Sequence, residues 1–250
     1  MPVLLPTSRA YHGATAVGSL HKGARRVWEP PPPAPWSPLD IVGLVTWIDP
    51  KQDLFADGEV IASYTEHSND RRVYSNNGGV VFRNGGDPRL VFNGGQHLQF
   101  DTLNLGPTGF TFVAVNSLTT PAQPMMLLAH HSSNDGYEMR WDSMAMQTAA
   151  SWQTQFVYNI HTVPDGQSVK QQHVWRFDIP SHTSDAWVGA ARNTFTSSVV
   201  PNVPTWMFIG VRYGGYWYTG NLYEAMVIVG AISDADLTKL QNYLKTKHGI

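Results

Sequence analysis

The chain has 250 residues, of which 42% are hydrophobic and only 14% charged, with a formal net charge of -2 and no cysteine. This length can bury one large core, the near-neutral charge supplies no basic field for a phosphate backbone, so no nucleic-acid partner is expected, and the lack of cysteine excludes disulfides, thiolate metal sites and a cysteine nucleophile. With 9 Trp, 10 Tyr, 10 Phe, 22 Gly and 17 Pro, the composition suits an aromatic-filled pleated fold rich in turns better than long solvated helices.

Residues 1–28 differ from the remainder. Val3, Leu4 and Leu5 lie between Pro2 and Pro6, a run too short for a signal-peptide core, and no stretch reaches the length of a membrane span, so a soluble chain without a membrane partner is expected. Gly13-Ala14 with Val17 recurs as Gly23-Ala24 with Val27. Each copy predicts strand, glycine turn and strand, because glycine supplies the positive φ of a tight hairpin. Such units bury no core alone. The segment marked by Tyr11, Gly13, Val17, Gly23, Val27 and Trp28 is therefore expected to be an extended anchoring arm that packs on another surface. Residues 29–38, with consecutive prolines from Pro30 to Pro33 followed by Pro35 and Pro38, predict a stiff polyproline linker.

Residues 39–250 form the main predicted domain. Asp57-Gly58, Asn77-Gly78, Asn84-Gly85, Asn93-Gly94, Asp135-Gly136 and Asp165-Gly166 are turn dipeptides. Between and after them, strands are predicted over 44–48, 80–83, 90–92, 98–100, 110–115, 125–129 and 137–141. Further strands are predicted over 156–160, 174–179, 186–189, 206–211 and 222–229. In 174–179, Trp175, Phe177 and Ile179 share one face while Val174, Arg176 and Asp178 share the other. A helix is predicted only at the end, where Ser233 and Asp236 have capping-box spacing and Leu237, Leu240 and Leu244 fall on one face. Asp234 and Asp236 suit its positive end, Lys245 and Lys247 its negative end, and Gly249 its termination. The expected fold class is all-β: a two-sheet antiparallel sandwich closed by one C-terminal α-helix.

The two ends of this domain resemble the concanavalin A-like lectin/glucanase superfamily, in particular its laminin-G-like jelly-roll domains. The resemblance rests on the run from Ile41 to Pro50, on Leu90 to Gly95 with Leu98 to Phe100, on Gly220 to Ile228, and on Ile232 to Asp236 with Tyr243 to Ile250. It implies a jelly-roll topology. Glycine-centred units ending in Val27-Trp28 and leading through prolines into Pro38-Leu39-Asp40-Ile41 are similar to the front ends of bacteriophage structural proteins, which implies a place in a virion.

Superfamily members that hydrolyse glucans carry Glu-x-Asp-x-Glu on one strand, since one carboxylate attacks while another donates a proton. That triple is missing here. Glu138 and Asp142 form the nearest pair and are expected to be solvent-facing or cross-strand polar positions. Glu224, set among apolar residues without a second carboxylate, is expected to be a structural group hydrogen-bonded to a neighbouring element. Some members bind calcium through loop oxygens, which draws attention to Asp49, Asp53 and Asp57; their spacing matches no established calcium loop, and they are expected to form turns. His130 and His131 are adjacent, whereas His161, His173 and His182 fall on separate elements, so no metal and no cofactor is expected. No nucleophile elbow, phosphate loop or dinucleotide fingerprint occurs.

Tyr216, Trp217 and Tyr218, embedded among glycines, are the candidate recognition residues, because amphipathic rings suit both sugar faces and protein interfaces. Alternation sets Tyr216 and Tyr218 on one face and Trp217 on the other, so core filling competes with surface contact. These features are read as a non-enzymatic phage structural and adhesion protein, a capsid decoration or fibre component. Its expected partners are capsid or tail proteins and further copies of itself, a homotrimer being plausible. The alternative is a lectin that attaches the particle to host glycans; a third reading is a degenerate glycosidase.

Overall fold

The structure, a computed structural model, describes residues 11–12, 15–16, 20–22, 25–28, 36–69, 72–76, 78–100, 103, 105–119, 125–132, 135–142, 145–152, 155–162, 168–198, 207–212 and 216–250. The chain divides into two compact units, Met1–Trp36 and Ser37–Ile250. In the first unit, β1 (Tyr11–His12) pairs with β2 (Thr15–Ala16), and β3 (Leu20–Lys22) pairs with β4 (Arg25–Trp28). Gly13, Val17 and Gly23 lie outside the described residues.

The second unit begins with a 3-10 turn over Pro38–Asp40, capped by Ser37, followed by β5 (Leu44–Ile48), β6 (Val60–Ile61), β7 (Ser63–Thr65), β8 (Arg72–Asn76) and β9 (Val80–Arg83). Next come β10 (Arg89–Asn93), β11 (His97–Phe100), β12 (Gly109–Leu118), β13 (Met125–Ser132), β14 (Asp135–Asp142), β15 (Ala145–Trp152) and β16 (Gln155–Thr162). The remainder is β17 (Gln171–Asp178), β18 (Thr183–Val188), β19 (Ala191–Thr196), β20 (Met207–Ile209), β21 (Val211–Arg212), β22 (Tyr216–Trp217), β23 (Thr219–Val229) and α1 (Asp234–His248).

Two antiparallel sheets form a jelly-roll sandwich. The larger has the order β19-β18-β17-β12-β23-β10-β9-β6, and β5 also pairs with β23. The smaller has the order β16-β15-β14-β13-β20-β11-β8-β7. Two of the predicted turn dipeptides serve different tasks, while Asn77 and Asp165-Gly166 lie outside the described residues. Asn84-Gly85 lies in the loop joining the paired strands β9 and β10, whereas Asn93-Gly94 lies where the chain leaves β10 in the larger sheet for β11 in the smaller. Asp135-Gly136 is not a turn: both residues are already paired in β14, opposite Ser132 and His131. Ladder pairing there overrides the local turn preference.

The inner faces fill with rings at strand period. Phe110, Tyr137, Trp175 and Phe177 meet in one cluster, with Phe110 centroids 4.8 Å from both Tyr137 and Trp175. Trp175 Nε1 donates to Ser184 Oγ at 3.0 Å, satisfying its polar atom within the core. Gly109, at φ +111°, begins β12 where a Cβ would stand 2.0 Å from the Phe177 carbonyl oxygen, so neither its backbone nor the available space admits a side chain.

The outer face of the larger sheet is covered by α1. Ser233 Oγ accepts from the Asp236 amide at 3.1 Å, and Gly249, at φ 65°, closes the other end through its amide to the Lys245 carbonyl at 2.8 Å. Leu237, Leu240, Leu244 and His248 form the buried stripe. Charged groups hold both helix ends. At the start, Arg176 Nη1 donates to the Ile232 carbonyl at 3.0 Å and to Asp234 Oδ1 at 2.5 Å. At the end, Glu224, 1% exposed, accepts from Trp47 Nε1 at 2.7 Å, from Lys247 Nζ at 2.9 Å and faces His248 Nε2 at 2.6 Å. Lys247 also pairs with the buried Asp49. Burial pushes the Lys247 ammonium down, but the Glu224 and Asp49 carboxylates more than offset this and hold it above the ordinary lysine value. No helix among the described residues is long and apolar enough to cross a membrane.

Two measurements test this scaffold. Glu224→Gln removes the charge that Lys247 and His248 surround and should cost about 3 kcal/mol of unfolding free energy, read as a lower urea midpoint; an unchanged midpoint would exclude the helix latch. Histidines set the pH dependence. The hydrogen bond to Asp53 raises the His67 pKa above 6.5 despite partial burial, whereas burial pushes His173 down to about 3. The His67 contribution is complete below its unfolded pKa and lost as pH rises through its higher folded value. The His173 contribution has the opposite sign and is lost as pH falls from about 6.5 toward 3. Urea midpoints should therefore fall on both sides of about pH 6.5, and Asp53→Asn should flatten the alkaline side alone.

Candidate functional site

The outer face of the smaller sheet carries a row of rings. Gln99 on β11 stands opposite Tyr74 on β8 and opposite Phe208 on β20. Since Leu98, Phe100, Met207 and Ile209 point into the core, their neighbours His97, Gln99 and Phe208 face outward. Tyr74 is 40% exposed, and His97, Gln99, Phe208 and Trp217 are partly exposed. The His97 ring links the others, with its centroid 5.5 Å from Phe208 at 72° and 6.0 Å from Trp217 at 38°. At normal strand spacing the Tyr74–Gln99–Phe208 row spans about 10 Å.

This shelf carries no formal charge at neutral pH, because burial lowers the His97 pKa below the ordinary histidine value. Its rings offer flat apolar surface, and Gln99 and His97 add polar edges. Such a surface matches a neutral molecule with an apolar face edged by hydroxyl groups.

Of the three recognition residues expected from the sequence, Trp217 belongs to this shelf. Tyr218 does not. It is fully buried, its ring 5.4 Å from Phe92, and its hydroxyl accepts from Asn116 Nδ2 at 3.1 Å while lying 3.0 Å from the Ser117 carbonyl oxygen. Tyr218 is therefore a core residue with a satisfied polar tip and cannot touch a ligand at the surface. The Tyr216 side chain lies outside the described residues, as do those of Tyr11, Val27 and Trp28. Tyr74, His97, Gln99 and Phe208 were missing from the expectation, although their signal was the period-two alternation that sends Leu98 and Phe100 inward and leaves their neighbours outside.

The remaining candidates resolve into structural groups. Asn116 Oδ1 lies 2.5 Å from His173 Nδ1, so the Tyr218–Asn116–His173 chain is internal. Asp49 accepts from the Lys51 amide at 3.2 Å and from Gln52, Asp53 meets His67 Nε2 at 3.1 Å, and Asp57 accepts from the Asn84 amide at 2.8 Å. These carboxylates serve separate loops. Glu138, expected to be a solvent-facing or cross-strand position, is 1% exposed and lies 3.8 Å from Arg140, which itself bonds Gln147 across the strands; Asp142's side chain is outside the described residues. His182 Nδ1 sits 3.1 Å from the Ser197 carbonyl oxygen, and the side chains of His130, His131 and His161 lie outside the described residues. Among the described residues, no three His, Cys, Asp or Glu side chains converge as metal ligands.

No family profile and no curated protein sequence matches the chain. Solved structures do match its fold. The binding domain of botulinum neurotoxin DC in complex with rat synaptotagmin II superposes with a TM-score of 0.62 at 9% identity, over 81% of this chain and 52% of that one. The same toxin's binding domain in complex with SialylT has a TM-score of 0.60 at 9% identity, covering 81% and 51%. This chain thus spans about half the length of the neurotoxin domains. Domain 4 of AbnA, an extracellular GH43 arabinanase from Geobacillus stearothermophilus, in complex with arabinotriose, superposes with a TM-score of 0.62 at 9% identity, over 79% of this chain and 98% of that domain. At these identities the likeness establishes the β-sandwich fold.

Proposed function

We propose that residues 37–250 form a non-catalytic carbohydrate-binding module whose contact surface is the shelf of Tyr74, His97, Gln99, Phe208 and Trp217. The carrying observation is the ring row itself: aromatic side chains at outward strand positions, partly exposed and uncharged, with an amide between two of them. Sugar rings present C–H faces that lie against aromatic rings and hydroxyl edges that bond amides and imidazoles. The arabinotriose complex of the arabinanase domain and the SialylT complex of a neurotoxin binding domain support this reading.

A second reading concerns the N-terminal residues. The division after Trp36 and the strand pairs β1–β2 and β3–β4 favour a separate attachment element. On this reading, residues 1–28 anchor the module to a larger assembly, such as a phage capsid or tail. The two readings are compatible, with the arm holding the particle and the sandwich holding host glycan.

A glycan array probed with the full chain should give reproducible sugar signals. Trp217→Ala and Phe208→Ala should each weaken the strongest of them by about 2 kcal/mol, roughly 30-fold in Kd, while leaving the melting temperature nearly unchanged. A blank array, or full binding by both variants, would sink the module reading. Deleting residues 1–28 should preserve sugar binding and abolish incorporation into the particle; normal incorporation would remove the anchor role.

A further inference from the structure

The Tyr74–Gln99–Phe208 row continues in both directions across the smaller sheet. Ser63 on β7 stands opposite Tyr74, and Ala129 on β13 stands opposite Phe208 and in turn opposite Glu138 on β14. All six residues face outward in one line, because the residues beside them in sequence, among them Tyr64, Val73, Leu98, Leu128 and Tyr137, point into the core. Exposure is not shared evenly along that line. Tyr74 is 40% exposed and Ser63, Gln99 and Phe208 are partly exposed, whereas Ala129 and Glu138 are 0% and 1% exposed. An outward side chain as long as glutamate is sealed only where other groups rise above it, so the face steps up beyond Phe208. Toward β7, the last strand of this sheet, the line runs out to the edge.

The rings are distributed with the same polarity. At the closed end Phe208, His97 and Trp217 stand together, the His97 centroid lying 5.5 Å from Phe208 and 6.0 Å from Trp217. The open end carries Tyr74, two strand spacings from Phe208, or about 10 Å. Each sugar of a linear chain lengthens it by close to one strand spacing, roughly 5 Å. A terminal sugar seated on the three clustered rings therefore carries its second residue over Gln99 and its third over Tyr74, and the chain leaves across Ser63. A chain passing through in both directions would collide with the rise over Ala129 and Glu138.

We infer that the shelf takes the end of a neutral glycan chain, with Phe208, His97 and Trp217 as the subsite of the terminal sugar and Tyr74 as an outer subsite. This rests on the carbohydrate reading above and adds to it a direction and a length. The stacking faces of the terminal sugar meet three rings, and its hydroxyl edges meet the imidazole and the Gln99 amide. Further sugars gain one aromatic contact, at Tyr74, and beyond the third the chain lies past the rings.

The test titrates the full chain with linear arabino-, gluco-, manno- and galacto-oligosaccharides of increasing length, from the monosaccharide to the pentasaccharide, followed by calorimetry and protein-detected NMR. In a series that binds, affinity should rise up to the trisaccharide and stay level beyond it. That trisaccharide is then coupled to a bulky tag at its reducing end or at its non-reducing end. One tag should abolish binding and the other should be tolerated. Tyr74→Ala should weaken the trisaccharide about tenfold and leave the monosaccharide unchanged, whereas Phe208→Ala should weaken every length. Tolerance of both tags, or an affinity that still climbs between the trisaccharide and the pentasaccharide, would overturn end recognition while upholding the shelf as a surface for chain interiors. Loss with both tags, or equal weakening of monosaccharide and trisaccharide by Tyr74→Ala, would also overturn it. No binding in any of the four series would remove the shelf and this inference together. The tag comparison uses the unaltered protein, so it decides the direction even where a variant loses stability.

Discussion

The carboxylate of Glu224 has almost no access to water, and the arrangement around it organises the larger sheet. A buried charge survives only when surrounded by donors and opposite charge. Here the donors come from two distant stretches: Trp47 on the first strand of the sandwich, and Lys247 and His248 at the end of the last helix. Satisfying one side chain thus brings β5, β23 and α1 together. The same requirement places the helix across the outer face of β12 and β17, where Val113, Val115 and Val174 need cover. Arg176 repeats the device at the other helix end with Asp185 and Asp234.

Covering one sheet leaves the two outer faces chemically unlike. On the larger sheet, the outward face beside the helix carries the aliphatic Val113, Val115 and Val174 and the ion-paired Glu224 and Arg176, with Trp187 against Arg176 and Arg192. On the smaller sheet, outward positions between β8 and β20 are rings and amides that the helix does not reach. The ring row and the helix latch therefore lie on different sheets, and Phe208 and Trp217 touch none of the groups around Glu224.

Strand positions were the most legible part of the sequence. The runs 44–48 and 80–83 coincide with β5 and β9, and Ser233, Leu237, Leu240, Leu244 and Gly249 fall where a capped amphipathic helix puts them. The missed strands have physical reasons. β15 has three Ala among its eight residues, which have little intrinsic strand preference, and it exists because β14 and β16 pair with it on both sides. The short β6 and β7 are edge elements too brief to show a period. The site was less legible because it is assembled across strands. Tyr74, Gln99 and Phe208 are neighbours only through the register of β8, β11 and β20, and local sequence does not contain that register. The Tyr216–Trp217–Tyr218 cluster drew attention by composition, yet alternation divides it and sends Tyr218 inward to Asn116.

The pairing of β5 with β23 also dictates when this domain can finish folding. Trp47 stands opposite Met226 and bonds Glu224, a residue 177 positions later. Although the 66–69 segment bonds its edge, the opening strand has no strand partner among the described residues until nearly the whole domain has been synthesised, so closure is a late event dominated by non-local contacts. Until then the edges of β10 and β12 await β23, and such unpaired edges invite pairing with other chains. The kinetic burden of the fold thus falls on its last thirty residues or so, from β23 through the helix, which act as the clasp for everything made before them.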